Sequence, residues 1–288
     1  MKKWLKKVKY FLKTIVNCAY VVVVGVFGAL LTLIRGKRTI FSKETNESAI
    51  NLGNGPSLND IDLDAVSKAG LEIVCVNSFP SRNANFERIK PKYLVLLDPV
   101  FFMNAEQLGQ EEIDLFEVLK KVDWKMHVLI PQGNSLTIEN ENLIVDKICT
   151  SVLHSEYMTG FLDWFYRRNL LTFGYQNVVI GAGFYFVSKR VKRLYYAGID
   201  MSEFKQLFVD DQNRVYIDKI HNYGSERCYS TLFNKGEFYK LLKLYQIMFE
   251  QFSYLKKYAD RQQVEIINLS INSYVDVFEK STMFHRET

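Results

Sequence analysis

From residue 49 onward the chain alternates short apolar runs with amphipathic or polar stretches. Residues 49–52 read as a first strand, and 60–69 as a short helix that Ser57 or Asn59 can cap. Residues 71–76 and 93–97 read as the second and third strands, 113–122 as a helix, and 126–130 as a strand ended by Pro131. The stretch 156–171 is aromatic and mixed. Residues 177–189 combine a Gly-containing turn with the start of a helix, and 194–197 form a buried strand running into Gly198-Ile199-Asp200. A polar, irregular segment covers 201–227. Residues 237–260 follow as a long amphipathic helix, with Phe238, Leu241, Leu242, Leu244, Tyr245 and Met248 at helical spacing. Residues 264–269 are the last strand. This alternation predicts an α/β fold: a Rossmann-like, mostly parallel sheet with helices on both faces.

In such sheets ligands bind beyond the carboxyl ends of the strands, near a topological switch. The residues there are Gly53-Asn54-Gly55-Pro56-Ser57, Asn77-Ser78, Asp98-Pro99, Asp200 and 268–272. Small or polar side chains at all five ends point to one shared cleft. The first turn is the most informative. Its glycines permit close backbone approach and positive φ, and a helix start behind it favours an anion, so it reads as a phosphate or nucleotide cradle.

The amino terminus follows a different pattern. No charged residue occurs from Thr14 to Ile34, a run matching the ~20 helical residues that span a bilayer. Six lysines precede it, Arg35, Lys37 and Arg38 follow it, and Trp4 and Tyr10 sit where interfacial aromatics are expected. The run ends without a small-residue cleavage site, so it is expected to be an uncleaved anchor helix. The implied division is 1–38 for basic terminus and anchor, 39–48 for a linker, and 49–288 for an α/β domain with a lid near 201–227. For a simple span the six leading lysines would keep the amino terminus in the cytoplasm and place the domain outside. A bent insertion, with Gly25 and Gly28 as weak points, would return the chain to the same face.

Net charge is +5, much of it from those lysines. The remaining chain is near neutral, which argues against nucleic acid as a partner. Cys18, Cys75, Cys149 and Cys228 stand far apart with no metal-ligand spacing, and read as free thiols in a reducing compartment. No metal site is expected.

Four segments, in order, resemble the bacterial sialyltransferases of glycosyltransferase family 42: AINLGNGPSLNDID, VCVNSF, LLDPVFF, and GAGFYF followed by LYYAGIDM. The closing VEIINLSINSYVDVF tracks that family's last core strand. A relation to the hydroxymethylpterin diphosphokinase-like superfamily is also visible in the opening turn. The resemblance implies metal-independent, inverting transfer from a cytidine-monophosphate-linked sugar donor. Carried over, it places Gly53, Asn54, Gly55, Pro56, Ser57, Asn77, Asp98 and Asp200 at the donor and Gly183 against the cytidine. His221 becomes the candidate base, since an imidazole titrating near neutrality suits deprotonation of a sugar hydroxyl. The chain departs from the family at Asp98, where an asparagine is usual, and at Ser202 and Phe208, near the places of the lid tyrosines. In His221-Asn222-Tyr223-Gly224-Ser225 the family's catalytic histidine falls at Ser225, and Tyr216 or Tyr223 is left to contact the phosphate.

The expected activity is therefore transfer of sialic acid or a related sugar acid to a surface glycan or glycolipid, at an inner membrane with the domain on the cytoplasmic side. A pterin diphosphokinase-like enzyme, with Asp98 holding magnesium, and an inactive scaffold of a polysaccharide assembly complex stand as alternatives. A homo-oligomer is left open.

Overall fold

A computed structural model of the protein describes residues 47–150, 152–153, 160–221, 224–229, 233 and 235–286, with helical residues at 19, 22–23, 26–28, 30 and 32–34. Most of the expected anchor and linker lies outside the described residues. Among those described, no helix is long and apolar enough to cross a membrane.

The strands of the main sheet, in chain order, are β1 (Ala49–Leu52), β2 (Glu72–Val76), β3 (Tyr93–Val95), β4 (Met126–Pro131), β5 (Leu143–Ile148), β8 (Arg193–Ala197), β12 (Glu265–Asn268) and β13 (Glu279–Lys280). They lie in the order β13-β12-β8-β1-β2-β3-β4-β5, and every pair is parallel. Two shorter sheets complete the description: β6 (Val152–Leu153) with β7 (Thr172–Phe173), and β9 (Leu207–Val209), β10 (Val215–His221) and β11 (Gly224–Tyr229). The chain winds outward from β1 through β5, then crosses back to β8 on the other side of β1. The switch point therefore lies between β1 and β8, where crevices form in doubly wound sheets.

Helices cover both faces, as the alternation predicts. One apolar layer joins the sheet to α1 (Leu63–Lys68), α2 (Phe79–Arg82), α3 (Phe86–Ile89) and α4 (Gln110–Lys120). The other joins it to α5 (Gly160–Arg167), α6 (Val178–Ser188) and α7 (Phe238–Gln262). The cap of α1 differs from expectation. Pro56 opens a 3-10 turn over Pro56–Asp60, so the helix starts later and Asp62 caps it, accepting from the Asp64 and Ala65 amides at 2.9 and 3.1 Å. β5 was not expected, because its sequence LIVDKI alternates weakly and it pairs only with β4, at the rim. The segment expected to be irregular over 201–227 instead carries the three-stranded antiparallel sheet.

Helix α6 is apolar on nearly every side and sits buried between the sheet and α7, as such helices do. Gly183 lies in this core and lines neither cavity of the cleft described below. A β-carbon there would stand 1.8 Å from Tyr196 Oη and 2.8 Å from Leu255 Cδ2. The structure thus gives Gly183 a packing role in place of the donor contact expected for it: its missing side chain lets Tyr196 reach across and donate to the Val179 carbonyl at 3.0 Å. Gly183→Ala should destabilise the fold by ~1–3 kcal/mol through overpacking, read as a lower midpoint in urea denaturation. An unchanged midpoint would contradict this packing role.

Candidate functional site

The turn after β1 packs directly on the turn after β8. Gly53 N donates to Ala197 O at 2.8 Å and Gly55 N to Gly198 O at 2.9 Å, extending the β1–β8 ladder past the strand ends. A β-carbon on Gly53 would lie 2.4 Å from Gly198 O, and one on Gly55 2.1 Å from Asp200 Oδ2. Gly198 itself has φ +70°. Gly53 and Gly55 are not among the residues with positive φ, so their glycine character answers to this close turn-to-turn contact. The expectation that they are needed for left-handed backbone is corrected accordingly.

Asp200 holds the same junction. Its Oδ2 accepts from the Ser57 amide at 3.2 Å and the Ser57 hydroxyl lies 2.8 Å away. Ser57 Oγ is also 2.8 Å from Ser270 Oγ, and Ser270 Oγ accepts from Ile199 N at 3.0 Å. Ser57 and Asp200 thereby bind each other, tying β1, β8 and the β12 end together.

Above the junction lies a cavity of about 140 Å³, lined by Gly53, Asn54, Gly55, Pro56, Asn77, Asn177, Val178, Val179, Asp200, Met201, Glu203 and His221 among others. It shares Asn54, Asn77, Asn177, Glu203 and His221 with a second cavity of about 500 Å³, whose outer wall includes Arg82, Asp98, Phe101, Glu111, Glu112, Ile217, Tyr245 and Met248. The expected residues Gly53, Asn54, Gly55, Pro56, Asn77, Asp200 and His221 thus meet in one cleft. Asp98 sits on the outer wall, where its carboxylate caps a 3-10 turn by accepting from Val100 N at 3.2 Å.

Three local features set the chemistry of the inner cavity. Asn77 and Met201, just past β2 and β8, both occupy left-handed backbone, at φ 49° and 51°. Asparagine enters that region readily and methionine does so uncommonly, so the turn after β8 holds Met201 there against its preference. Next, the amino end of α6 faces the cavity through Asn177, Val178 and Val179, with Asn177 accepting from Val179 N at 2.9 Å. An eleven-residue helix presents partial positive charge there. The short 3-10 turn after the glycines offers little such charge, so the anion-favouring helix start is the later one. Finally, Asn54 and Asn77 line both cavities, and their buried Oδ1 atoms have no hydrogen-bond partner among the described residues.

β10 supplies the opposite wall. Ile217 and His221 are four residues apart on one strand and therefore share a face, toward the cavity. Tyr216 projects to the other face and stacks on Phe208, with ring centroids 5.1 Å apart, so it does not line the cleft. Tyr223 lies outside the described residues. The outer wall carries Asp98, Glu111, Glu112 and Glu203 against a single guanidinium, Arg82, among the described lining residues. Burial pushes the Tyr245 hydroxyl up to about 12, which keeps it a neutral donor on that wall.

Asn177, Arg82, Glu112, Glu203, Tyr245 and Met248 were not singled out from sequence. Asn177, an asparagine directly before a wholly apolar helix, carried a readable capping signal. Tyr245 and Met248 read as core positions of the long helix, and they line the cavity where that helix passes its edge.

The fold and the cleft define a doubly wound α/β protein with a ligand-sized crevice at its switch point. Comparison with family models found no match, and comparison with curated proteins found none either. Among solved structures, the chain is similar to the sialyltransferase CstII from Campylobacter jejuni in complex with CMP-3FNeuAc, at 15% identity and a TM-score of 0.45, over 85% of this chain and 90% of that one. It is similar to CST-II in complex with a trisaccharide acceptor and CMP at 14% identity and a TM-score of 0.45, over 84% and 89%. The monofunctional alpha-2,3-sialyltransferase Cst-I from Campylobacter jejuni matches at 15% identity and 0.45, over 88% and 86%.

Asp200 offers a test of the junction. Burial raises its carboxyl above the ordinary value of 3.8, opposed by the hydrogen bonds from Ser57. A raised folded-state value contributes stability that is complete below the unfolded value and is lost as pH rises through the folded one. Asp200→Asn stays neutral throughout and keeps an acceptor for Ser57. Wild-type stability should therefore fall relative to the variant as pH rises above ~4, seen by chemical denaturation at stepped pH. Parallel curves would show that Asp200 is not held as described.

Proposed function

We propose that the protein is a membrane-anchored glycosyltransferase. It moves a sugar acid, sialic acid or a relative, from a cytidine-monophosphate-linked donor to a glycan or glycolipid hydroxyl, with inversion and without a metal ion. The observation that carries this reading is the convergence of the β1 turn, Asn77, the α6 amino end and His221 on one crevice at the switch point. The ordered likeness of the segments around these residues to family 42 supplies the donor chemistry.

In this reading the nucleotide lies over Asn54 and Asn77, which line both cavities. The phosphate sits at the amino end of α6, where helix charge stabilises the leaving group as the glycosidic bond breaks. His221 takes the proton from the acceptor hydroxyl as that oxygen attacks the anomeric carbon. The uncharged amino-terminal run would hold the domain at the cytoplasmic face of an inner membrane, close to a lipid-linked acceptor.

Thermal unfolding against a panel of nucleotides and nucleotide sugars tests the donor. Cytidine monophosphate and one cytidine-linked sugar should raise the melting temperature, equally with or without a chelator. Stabilisation by ATP and magnesium alone would replace this reading with a diphosphokinase-like one, and silence across the panel would favour a scaffold. His221→Ala should keep the cytidine monophosphate shift and lower kcat by ~10²–10⁴-fold. Retention of full turnover would remove His221 from the mechanism.

A further inference from the structure

Among the described residues of the amino-terminal segment, Thr32 is the buried one, and it fastens to the domain. Thr32 is fully buried, while Ile34, two residues on, is 78% exposed. Thr32 Oγ1 lies 2.9 Å from the Leu170 carbonyl, 3.0 Å from the Gly28 carbonyl and 3.2 Å from Cys149 Sγ. Gln132 Nε2 donates to the Thr32 carbonyl at 2.9 Å. The far side is apolar: Val22, Val23, Val26, Phe27, Leu30, Leu33 and Ile34 are all exposed. At ~100° per helical residue these seven fall within an arc of roughly 140°, with Gly28 and Thr32 opposite.

Gln132 directly follows β4 and Cys149 directly follows β5. In an all-parallel sheet these points lie on the same edge as the turns after β1 and β2 that build the cleft. With strands ~4.8 Å apart, the β4 end stands roughly 14 Å from the β1 turn. The latch also gathers α5. Asn169 accepts from Cys149 N at 2.6 Å and donates to Lys147 O at 2.8 Å, holding the end of that helix beside Leu170. On α5, Trp164 is 46% exposed, with the Arg168 guanidinium 4.0 Å above its ring.

We infer that this flank of the domain, the exposed face of the 22–34 segment together with Trp164 and Arg168, rests on a lipid bilayer, so that the cleft opens beside the membrane surface. The occupant is lipid because the exposed face is apolar at every described position and the uncharged run is flanked by lysines and arginines suited to anionic headgroups. Trp164 with its stacked Arg168 is the kind of amphipathic pair that settles at headgroup level. The inference rests on the membrane reading of the amino terminus and is independent of the transferase reading.

The test uses the full chain with Trp4→Phe and Trp124→Phe, leaving Trp164 as the remaining tryptophan of three. The protein is mixed with phosphatidylethanolamine–phosphatidylglycerol vesicles, with and without brominated acyl chains, then floated, and its fluorescence is read. Flotation with Trp164 emission quenched by more than half in brominated vesicles is the expected result. Thr32→Val should float equally well and lose most of that quenching, because the anchor remains while the latch is weakened. Flotation with unquenched Trp164 would overturn the inference, since the domain would then hang free of the surface. Absence of flotation, or a lipid-independent dimer cross-linked through Phe27→Cys, would overturn it together with the membrane reading. Nucleotide binding is untouched by any of these outcomes.

Discussion

Everything at the cleft depends on how closely two glycine turns approach each other. Where β1 and β8 end, the backbones of 53–55 and 197–198 continue to hydrogen-bond, at 2.8 and 2.9 Å, with Gly198 O where a β-carbon on Gly53 would need to be. Any side chain there would push the strands apart at the point where the sheet reverses its winding. The contact makes the floor of the crevice out of main chain and leaves Asn54, Asn77 and Met201 as its lining. Asp200, with Ser57 and Ser270, then fixes the turn sideways through side chains. Position and chemistry are thereby separated. Glycines and the Asp200 cluster set the geometry, while the asparagines, the amino end of α6 and His221 line the cavity above it.

Charge is distributed along α6 in the same sense. Its amino end opens on the inner cavity, and its carboxyl end runs to Lys189, whose ammonium donates to Tyr93 Oη at 2.9 Å. A cation suits that end of the dipole as an anion suits the other. Around Lys189 the amino edge of the sheet is closely paired: Lys92 with the buried Glu72 at 2.6 Å, and His127 with Asp146 at 2.6 Å. Burial lowers the Lys189 ammonium from its ordinary value, yet Glu72 and Asp146 oppose that shift. Several of the charged groups at this edge are paired with one another, though one buried Glu72 oxygen has no partner among the described residues.

Much of this was legible in the sequence where one physical signal dominated. The apolar runs of β1, β4 and β8 are buried along nearly their whole length, so hydrophobicity alone located them. The order of strand-end residues gave the cleft for the same reason: parallel topology brings such ends together regardless of loop detail. β5 escaped because an edge strand buries only part of its length. The antiparallel sheet over 207–229 escaped because strands such as VYIDKIH mix charged and apolar positions and carry no clean alternation. Gly183 was misread because a glycine in an apolar run carries the same letter whether it admits a ligand or a neighbouring tyrosine. The Tyr196 hydroxyl that fills its space is thirteen residues away in sequence.

The same reasoning explains why the latch at Thr32 was invisible. A lone threonine near the end of an uncharged run has little effect on hydropathy, and in a free transmembrane helix it would bond back to its own helix, as it does here to Gly28. What distinguishes it is the second set of partners, Leu170, Cys149 and Gln132, which converge from two strand ends and one helix end. Complete burial of Thr32 beside a 78% exposed Ile34 fixes which side of the segment faces the domain. Because those partners sit on the carboxyl edge of the sheet, the contact that builds the crevice and the contact that fastens the segment share one edge of the sheet.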